Sequence, residues 1–302
     1  MTKSKGLTSK REEMFSYLLL VIPGLLIYYF VLAFPTVFSV MLSLTNYNGG
    51  KVFGNARVKF VGLVNYVNIL RDDYFWMALK NNMYIVLMSV FIQIPLGFAL
   101  AYILSRGLVK GVDLFQTVVY LPHVISAVVI GILFKNFYLS SGSVWMEIVR
   151  IFNPAAEFDV TKAPMVPVLA VMVWAYTGTY VIIFLANLQK IDVAVIEASK
   201  IDGATELQTL RYIILPALSG VIVTSMILAI SGSLKSFDLL YVMTMGGPAH
   251  KTTVLSLYMF EKAFTGSPQY PIANAISTVM VIISFILIGL TKTTEKRFGG
   301  KE

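Results

Sequence analysis

Few side chains in this sequence are able to carry out covalent or metal chemistry. The chain has no cysteine, which excludes disulfides, thiolate nucleophiles and cysteine-ligated metals. Its imidazoles are limited to His123, beside Pro122, and His250. The long apolar runs contain almost no acidic residues, so they offer no cluster of histidine and carboxylate that would bind a metal or relay protons. We therefore expect no catalytic residue, no metal and no enzymatic activity in this chain.

One stretch, Gly246-Gly-Pro-Ala-His-Lys-Thr252, superficially resembles a phosphate-binding loop. Such a loop has the pattern G-x-x-x-x-G-K-[ST], in which backbone N–H groups surround the phosphates and the lysine reaches them. This stretch lacks the second glycine directly before the lysine. We therefore expect no bound nucleotide and no cofactor in this chain.

Apolar runs long enough to cross a membrane recur along the chain. Of its residues, 57% are hydrophobic and only 13% are charged, which is more apolar surface than a soluble core of ordinary size can hide. A helix needs about 20 mostly apolar residues to cross the hydrocarbon layer, and backbone groups in lipid must satisfy one another within the segment. The sequence therefore predicts an all-α polytopic membrane protein with six transmembrane helices, near residues 15–44, 81–104, 114–137, 165–189, 217–245 and 272–290.

Charge indicates how these helices are oriented. The first run follows a basic stretch ending in Lys10 and Arg11, as in a secretory signal peptide, but it is too long and lacks a small-x-small cleavage site. We interpret it as a retained first helix. Lysine and arginine are modestly enriched on the side that holds both termini, which predicts an N-in, C-in arrangement. The net charge of +8 favours anionic lipid over nucleic acid as the counter-charge.

The long inner connection, residues 190–216, has the pattern of two helices joined by a glycine bend. Asp192 can cap a first helix that runs to about Ile201, and Gly203 can supply the left-handed residue that ends it. A second helix follows at once. The first helix contains both apolar and charged residues, so the connection could bind a protein partner or could lie flat on lipid.

The start of the second helix carries a recognisable cap. Thr205 and Gln208 form a T-x-x-Q capping box, and Pro216 suits the first turn of the next span. These residues alone do not decide whether the inner connection binds a protein partner or lies on lipid.

The spacing within this connection is specific. Glu197, Ala198 and Ser199 are followed after three residues by Gly203, and after nine more by Ile213-Ile-Leu-Pro216. This resembles the pattern E-A-A, three residues, G, nine residues, I-x-L-P, which is found in the cytoplasmic coupling loop of permease subunits of binding-protein-dependent ABC importers. Ser199 replaces the usual second alanine with another small residue.

Further segments resemble the maltose-type carbohydrate permeases of that family. They are Phe60-Val-Gly-Leu-Val-Asn-Tyr66 in the first outer connection, then Phe237, Asp238 and Tyr241, then Gly246-Gly-Pro248 with Thr252 and Thr253, and finally Ala263-Phe264. Together with the inner connection, the resemblance covers nearly every segment of the chain.

The resemblance implies a type I importer fold in the cell (plasma or inner) membrane, with residues 1–302 as one permease domain and residues 190–216 as its coupling loop. It implies a second homologous permease subunit, two ATPase subunits that bind ATP and magnesium, an extracellular or periplasmic solute-binding protein and a sugar-like solute. Closure of the ATPase would reach the spans as a rigid-body motion that produces alternating access. The residues implied in that contact are Glu197, Ala198, Ser199, Asp202 and Gly203.

The fourth and fifth spans offer the side chains that a sugar needs, because hydroxyls require hydrogen-bond partners and ring faces stack on aromatic groups. The resemblance implies solute contacts near Tyr176, Thr179 and Ser233, to which the composition of the spans adds Tyr180, Ser236 and Phe237. Small hydroxyl residues are also typical of close helix contacts in membranes, so packing remains the alternative for each. The solute could be an oligosaccharide, a monosaccharide, a uronic-acid oligomer or a polyol phosphate.

Three features of the spans favour a structural interpretation. Lys235 and Asp238 are three residues apart and are expected to meet on one helix face near the outer boundary. His123 is expected to make a polar packing contact, and Pro95 and Pro122 to bend their helices. Hydropathy alone also fits an ion-coupled secondary transporter or channel for a small polar solute, and the E-A-S-x3-G motif favours the ABC importer over this alternative.

Overall fold

The structure, a computed structural model, describes residues 5–51, 58–107, 111–139, 144–152 and 164–298. Within these residues the regular elements are helices, and β pairing is limited to an isolated bridge between Thr45 and Phe60. The helices are α1 (Lys5–Tyr28), α2 (Phe34–Ser43), α3 (Val64–Leu70), α4 (Asp73–Met88), α5 (Ile94–Ser105), α6 (Val112–Val124), α7 (Ala127–Phe134), α8 (Val144–Phe152), α9 (Met165–Leu188), α10 (Val193–Ile201), α11 (Glu206–Thr209), α12 (Leu215–Ala217), α13 (Ser219–Leu234), α14 (Asp238–Thr244), α15 (Leu255–Phe264) and α16 (Tyr270–Phe298).

The helices of the described residues provide four to six membrane spans. Four continuous helical segments are long and apolar enough to cross a bilayer, and two bent pairs bring the number to six if each pair is one span. Each predicted run overlaps one of these segments or pairs, so the all-α polytopic fold is confirmed. The segments are Glu12–Ser43, Asp73–Ser105, Met165–Leu188 and Tyr270–Thr293, and the pairs are Val112–Val124 with Ala127–Tyr138 (91°) and Glu206–Ala217 with Ser219–Leu234 (66°).

The fifth predicted run is wrong in one respect, because the helix does not continue from residue 217 to 245. Helix α13 ends at Leu234, and α14 begins at Asp238 after a short non-helical connection. Lys235 is the C-cap of α13, with its N–H donating to the carbonyls of Ser231 and Ser233. Lys235 and Asp238 therefore do not meet on one helix face as expected, and the ion pairs of the described residues do not include one between them.

Three π-helical turns come directly before an X-Pro pair. A proline ring clashes with the carbonyl one α-turn earlier, and a π turn with i→i+5 bonding widens the helix at that point. In each case the residue before the proline donates its N–H five residues back. The turns are Tyr29–Ala33 before Pro35, Ser89–Gln93 before Pro95 and Leu210–Ile214 before Pro216.

The two prolines expected to bend their helices differ in outcome. Pro122 lies in the last turn of α6, just before the 91° bend, as expected. Pro95 lies inside the continuous segment Asp73–Ser105, where the disturbance takes the form of the preceding π turn.

The described residues form two compact units, of which the first lies within residues 1–69 and 262–278. In this unit the Phe60–Tyr66 motif closes the outer end of α2. The Asn65 amide donates to the carbonyls of Ser43 (2.7 Å) and Thr45 (2.9 Å), and the hydroxyls of Ser43 and Tyr66 are 2.6 Å apart. The side chains of the apolar window in Glu12–Ser43 are not buried within the chain.

The second unit comprises residues 70–261 and 279–302, and α9 lies at its centre. One buried cluster surrounds the first half of α9, at Val168, Val171 and Met172, and a second surrounds its other half, at Val181 and Phe184. Helices α5 and α6 approach α9 closely through glycines. A Cβ at Gly97 would lie 2.5 Å from the Tyr180 Cβ, and one at Gly178 would lie 2.7 Å from the Val119 carbonyl oxygen.

This close approach makes the packing of α5 on α9 testable. We expect Gly97→Ala to lower the free energy of unfolding by about 1–3 kcal/mol, because the added methyl group cannot fit without moving the two helices apart. Thermal unfolding of the purified protein in detergent measures the change.

Gly289→Ala is the matched control, since a Cβ at Gly289 in α16 has no atom within 4 Å. Equal unfolding temperatures for Gly97→Ala and Gly289→Ala would contradict the close approach of α5 and α9.

Candidate functional site

A cavity of about 400 Å³ lies in the second unit, between α9 and the end of α13. Its size is within the range of sites that hold a small solute. The cavity brings together all six residues that the sequence assigns to solute contact: Tyr176, Thr179, Tyr180, Ser233, Ser236 and Phe237. Their role in solute binding stays a prediction.

The non-helical connection between α13 and α14 forms one wall of this cavity. The buried amide of Asn82 is a hydrogen-bond partner for the backbone carbonyl at its start. Asn82 is fully buried; its Nδ2 donates to the Ser233 carbonyl (2.9 Å) and its Oδ1 accepts from the Leu255 N–H (2.7 Å). The Ser236 hydroxyl also donates to the Ser233 carbonyl (2.9 Å), and the Ser256 hydroxyl donates to the Ser236 carbonyl. A non-helical connection inside a membrane protein is stable only when its polar groups are satisfied in this way.

The π turn Ser89–Gln93 supplies two further cavity residues that the sequence analysis missed. The Ser233 hydroxyl donates to the Ser89 hydroxyl (3.2 Å), and the Gln93 amide donates to the Met172 carbonyl (2.7 Å). Both Ser89 and Gln93 are buried and line the cavity. The signal was present in the sequence, since a serine and a glutamine stand four residues apart in an otherwise apolar run.

His123 does not line the cavity but contacts a residue that does. Its Nδ1 lies 3.0 Å from the Thr179 hydroxyl, which agrees with the expected polar packing contact between helices. This contact orients Thr179, which lines the cavity. Among the residues that the structure describes, no group of His, Asp and Glu could hold a metal ion.

The Phe237 ring lines the cavity next to the break and is backed by two further aromatic rings. Phe237 stacks on Tyr241 with centroids 5.1 Å apart, and both rings contact Phe260. Other polar residues of α9 do not line the cavity: Trp174 packs against Phe134, and the Thr177 hydroxyl donates to the Val173 carbonyl within the helix.

The Gly246–Thr253 motif packs the outer connection against α4. Gly246 has φ +80°, and a Cβ there would lie 2.5 Å from the Thr253 hydroxyl oxygen, so only glycine fits. The Thr252 hydroxyl donates to the Gly247 carbonyl (2.9 Å). The buried Asn81 amide donates to the carbonyls of Lys251 (2.9 Å) and Thr253 (2.8 Å).

Helix α15 is tied to the same region through a carboxylate. Asp72 caps α4 by accepting from the Tyr74 N–H, and its second oxygen accepts from the Tyr258 hydroxyl. Burial and this hydrogen bond raise the pKa of Tyr258 well above its usual range, so the phenol remains a donor.

The inner connection has the local structure expected from its sequence. Asp192 caps α10 by accepting from the Ala194 N–H (2.9 Å), and Gly203 has φ +78°. Thr205 and Gln208 form the complete capping box of α11. Pro216 differs from expectation: it lies in α12, before the 66° bend, and not in the first turn of α13.

The inner connection is anchored to the end of α5. The Glu206 carboxylate accepts from the Arg106 guanidinium (3.1 Å) and from the Tyr102 hydroxyl (3.0 Å). Lys200 lies 4.0 Å from the same carboxylate. Helix α11, the second helix of the connection, is therefore held against the inner end of α5.

The residues assigned to the coupling loop differ in accessibility. Glu197, Ala198, Asp202 and Gly203 are exposed, whereas Ser199 is buried and its hydroxyl lies 3.2 Å from that of Thr209. Ser199 therefore joins the two helices of the bend from inside.

Two large apolar side chains beside the bend are exposed on the surface of the chain. Ile201 is 86% exposed and Leu207 is 71% exposed. An exposed apolar group beside a rigid bend is a typical feature of a protein contact surface.

Comparison with known proteins agrees with this architecture. Residues 93–299 match the family described as binding-protein-dependent transport system inner membrane component. The chain is 32% identical over 274 residues to the lactose transport system permease protein LacF of Rhizobium radiobacter, covering 89% of this chain and 90% of LacF. It is 31% identical over 267 residues to the probable ABC transporter permease protein y4oQ of Sinorhizobium fredii, covering 88% and 84% of the two chains.

A solved structure shows the same fold. It is a chain of a bacterial alginate ABC transporter in complex with its alginate pentasaccharide-bound periplasmic protein, with a TM-score of 0.81, 20% identity, and coverage of 98% of this chain and 99% of that one. This chain has the type I importer permease fold and is a multi-pass membrane protein. With more than half of its residues matched, it belongs to the binding-protein-dependent transport system inner membrane component family.

Proposed function

We propose that this chain is the transmembrane subunit of an ATP-driven importer that moves a sugar or oligosaccharide through the cavity between α9 and α13. An external solute-binding protein delivers the solute. The inner connection, residues 190–216, couples the chain to an ATPase subunit, which binds ATP and magnesium and hydrolyses the nucleotide. A second homologous permease subunit completes the pathway, and this chain is not itself an enzyme.

The observation that carries the proposal is the composition of the cavity. Hydroxyl groups of Thr179, Ser233 and Ser236 stand beside the aromatic rings of Tyr176 and Phe237. Sugars need this combination, because their hydroxyls form hydrogen bonds and their ring faces pack on aromatic groups. The name of the lactose permease relative supports the same class of solute.

The coupling role draws its support from the shape of the inner connection. Two capped helices meet at Gly203, and the contacts Ser199–Thr209 and Arg106–Glu206 stiffen the bend and hold it to α5. A stiff bend can transmit a displacement, whereas a flexible loop would absorb it. The exposed Ile201 and Leu207 provide an apolar surface that an ATPase subunit can bind.

The family match supports an ATP-driven importer over the ion-coupled transporter that hydropathy alone also allowed. The relatives named above are described as permease proteins of ABC or lactose transport systems, which supports the same choice.

Filling the cavity tests the proposed solute pathway. Gly232 lines the cavity, and a Cβ there has no atom within 4 Å, so a larger residue fits without disturbing the helices. We expect Gly232→Leu to lower ATP-driven uptake about tenfold or more, because the leucine side chain competes with solute for space. Uptake by proteoliposomes that contain the complete importer measures the effect.

Gly220→Leu is the matched control on the same helix. Gly220 also has no atom within 4 Å of a Cβ position, but it does not line the cavity. If Gly232→Leu transported solute as fast as Gly220→Leu, the cavity would not be the pathway.

Straining the glycine bend tests the coupling role. Gly203 has φ +78° and free space around its Cβ position, so Gly203→Val adds backbone strain and no clash. We expect the changed bend to fit the ATPase poorly, with uptake reduced about tenfold or more. Co-purification of the ATPase subunits and ATP-driven uptake are the two measurements.

Gly266→Val imposes a similar strain elsewhere, since Gly266 has φ +65° and equally free surroundings. We expect it to retain ATPase binding. Normal uptake and normal co-purification of Gly203→Val would rule out the bend as the coupling element.

A further inference from the structure

Two charged side chains line the cavity on either side of the helix break. Lys235 ends α13 and Asp238 begins α14, so the connection through Ser236 and Phe237 separates them. Both side chains are exposed rather than packed in the core. The break thus presents an ammonium group and a carboxylate to the same space.

Neither charge forms an ion pair with a residue that the structure describes. The ion pairs of the described residues involve other side chains, and neither Lys235 nor Asp238 takes part in them. The Asp238 carboxylate does interact electrostatically with the Tyr176 phenol, which lines the same cavity. Both residues follow directly on the span that ends at Leu234, where a charge without an ion-pair partner commonly faces water or a transported solute.

We propose that Lys235 and Asp238 determine the specificity of the cavity, selecting neutral saccharides over anionic ones, an inference that rests on the proposed sugar transport. Among the described residues that line the cavity, these two carry the charges, and their formal charges cancel. A sugar hydroxyl can accept from the ammonium group and donate to the carboxylate, so a neutral saccharide satisfies both without bringing in a third charge.

An anionic sugar fits this arrangement less well. A uronate or phosphate group attracted to Lys235 would come close to Asp238, since the two residues flank the same short connection. The like charge of Asp238 offsets the attraction. Phe237 lies between the two and supplies an apolar face next to the polar groups, as a pyranose ring requires.

The experiment uses the complete importer, with its paired permease, ATPase subunits and binding protein, reconstituted in liposomes. Lactose, raffinose and maltotriose serve as neutral probes, and trigalacturonate serves as the anionic probe. We expect ATP-dependent uptake of at least one neutral probe and none of trigalacturonate. ATP-dependent uptake of trigalacturonate would overturn the selectivity and leave the proposed sugar transport standing. No ATP-dependent uptake of any probe would overturn both.

Two substitutions then test the residues. We expect Asp238→Asn and Lys235→Met each to lower uptake of the neutral probe about tenfold or more, while the ATPase subunits still co-purify. Asp238→Glu and Lys235→Arg keep the charges, and we expect them to restore part of the uptake. Rescue by charge alone is a result that a packing role would not produce.

Matched controls exist for both substitutions. Asp113, like Asp238, is an exposed acid in the first turn of a helix, and Lys80 is an exposed lysine of α4; neither lines the cavity. We expect Asp113→Asn and Lys80→Met to transport normally. Wild-type uptake by Asp238→Asn and Lys235→Met, or equal losses in the controls, would overturn the assignment.

Discussion

The buried amide of Asn82 is the contact on which the cavity depends. A backbone group left unpaired in a membrane costs several kcal/mol, so a helix can break there only where side chains take over its hydrogen bonds. Asn82 donates to the Ser233 carbonyl near the end of α13 and accepts from the N–H of Leu255, the first residue of α15, so one buried amide joins these two helices. The Ser236 hydroxyl donates to the same Ser233 carbonyl and the Ser256 hydroxyl donates to the Ser236 carbonyl, so the polar connection that forms one wall of the cavity is satisfied by side chains.

The cavity and the inner connection are linked by the order of the chain. Helix α9 lines the cavity and runs directly into residues 190–216, which in turn lead into α13 and the break at Leu234. The bend is braced internally by Ser199 and Thr209 and is held to α5 by Arg106. A force applied to the bend would therefore reach both helices that enclose the cavity, which is the arrangement that rigid-body alternating access requires.

The sequence predicted the parts of this structure that depend on local rules. Asp192, Gly203 and the Thr205–Gln208 box were recognisable because capping and left-handed turns depend on neighbouring residues alone. The end of α13 was missed, because residues 217–245 read as one apolar run and the Asn82 amide that bonds to the end of α13 is far away in sequence. Because that run was interpreted as one helix, Lys235 and Asp238 were expected to meet on one helix face. Ser89 and Gln93 were overlooked as cavity residues although their polar side chains stand out in an apolar run.

The absence of cysteine from the chain allows a direct measurement of the central claim, that solute passes through the cavity between α9 and α13. The measurement is the rate at which a water-soluble thiol reagent modifies a Gly232→Cys variant within the assembled importer, followed on this chain by mass spectrometry. We expect modification in the resting importer, and a marked slowing when solute-loaded binding protein is added and the complex is trapped during turnover. A rate that does not change with solute would contradict the account.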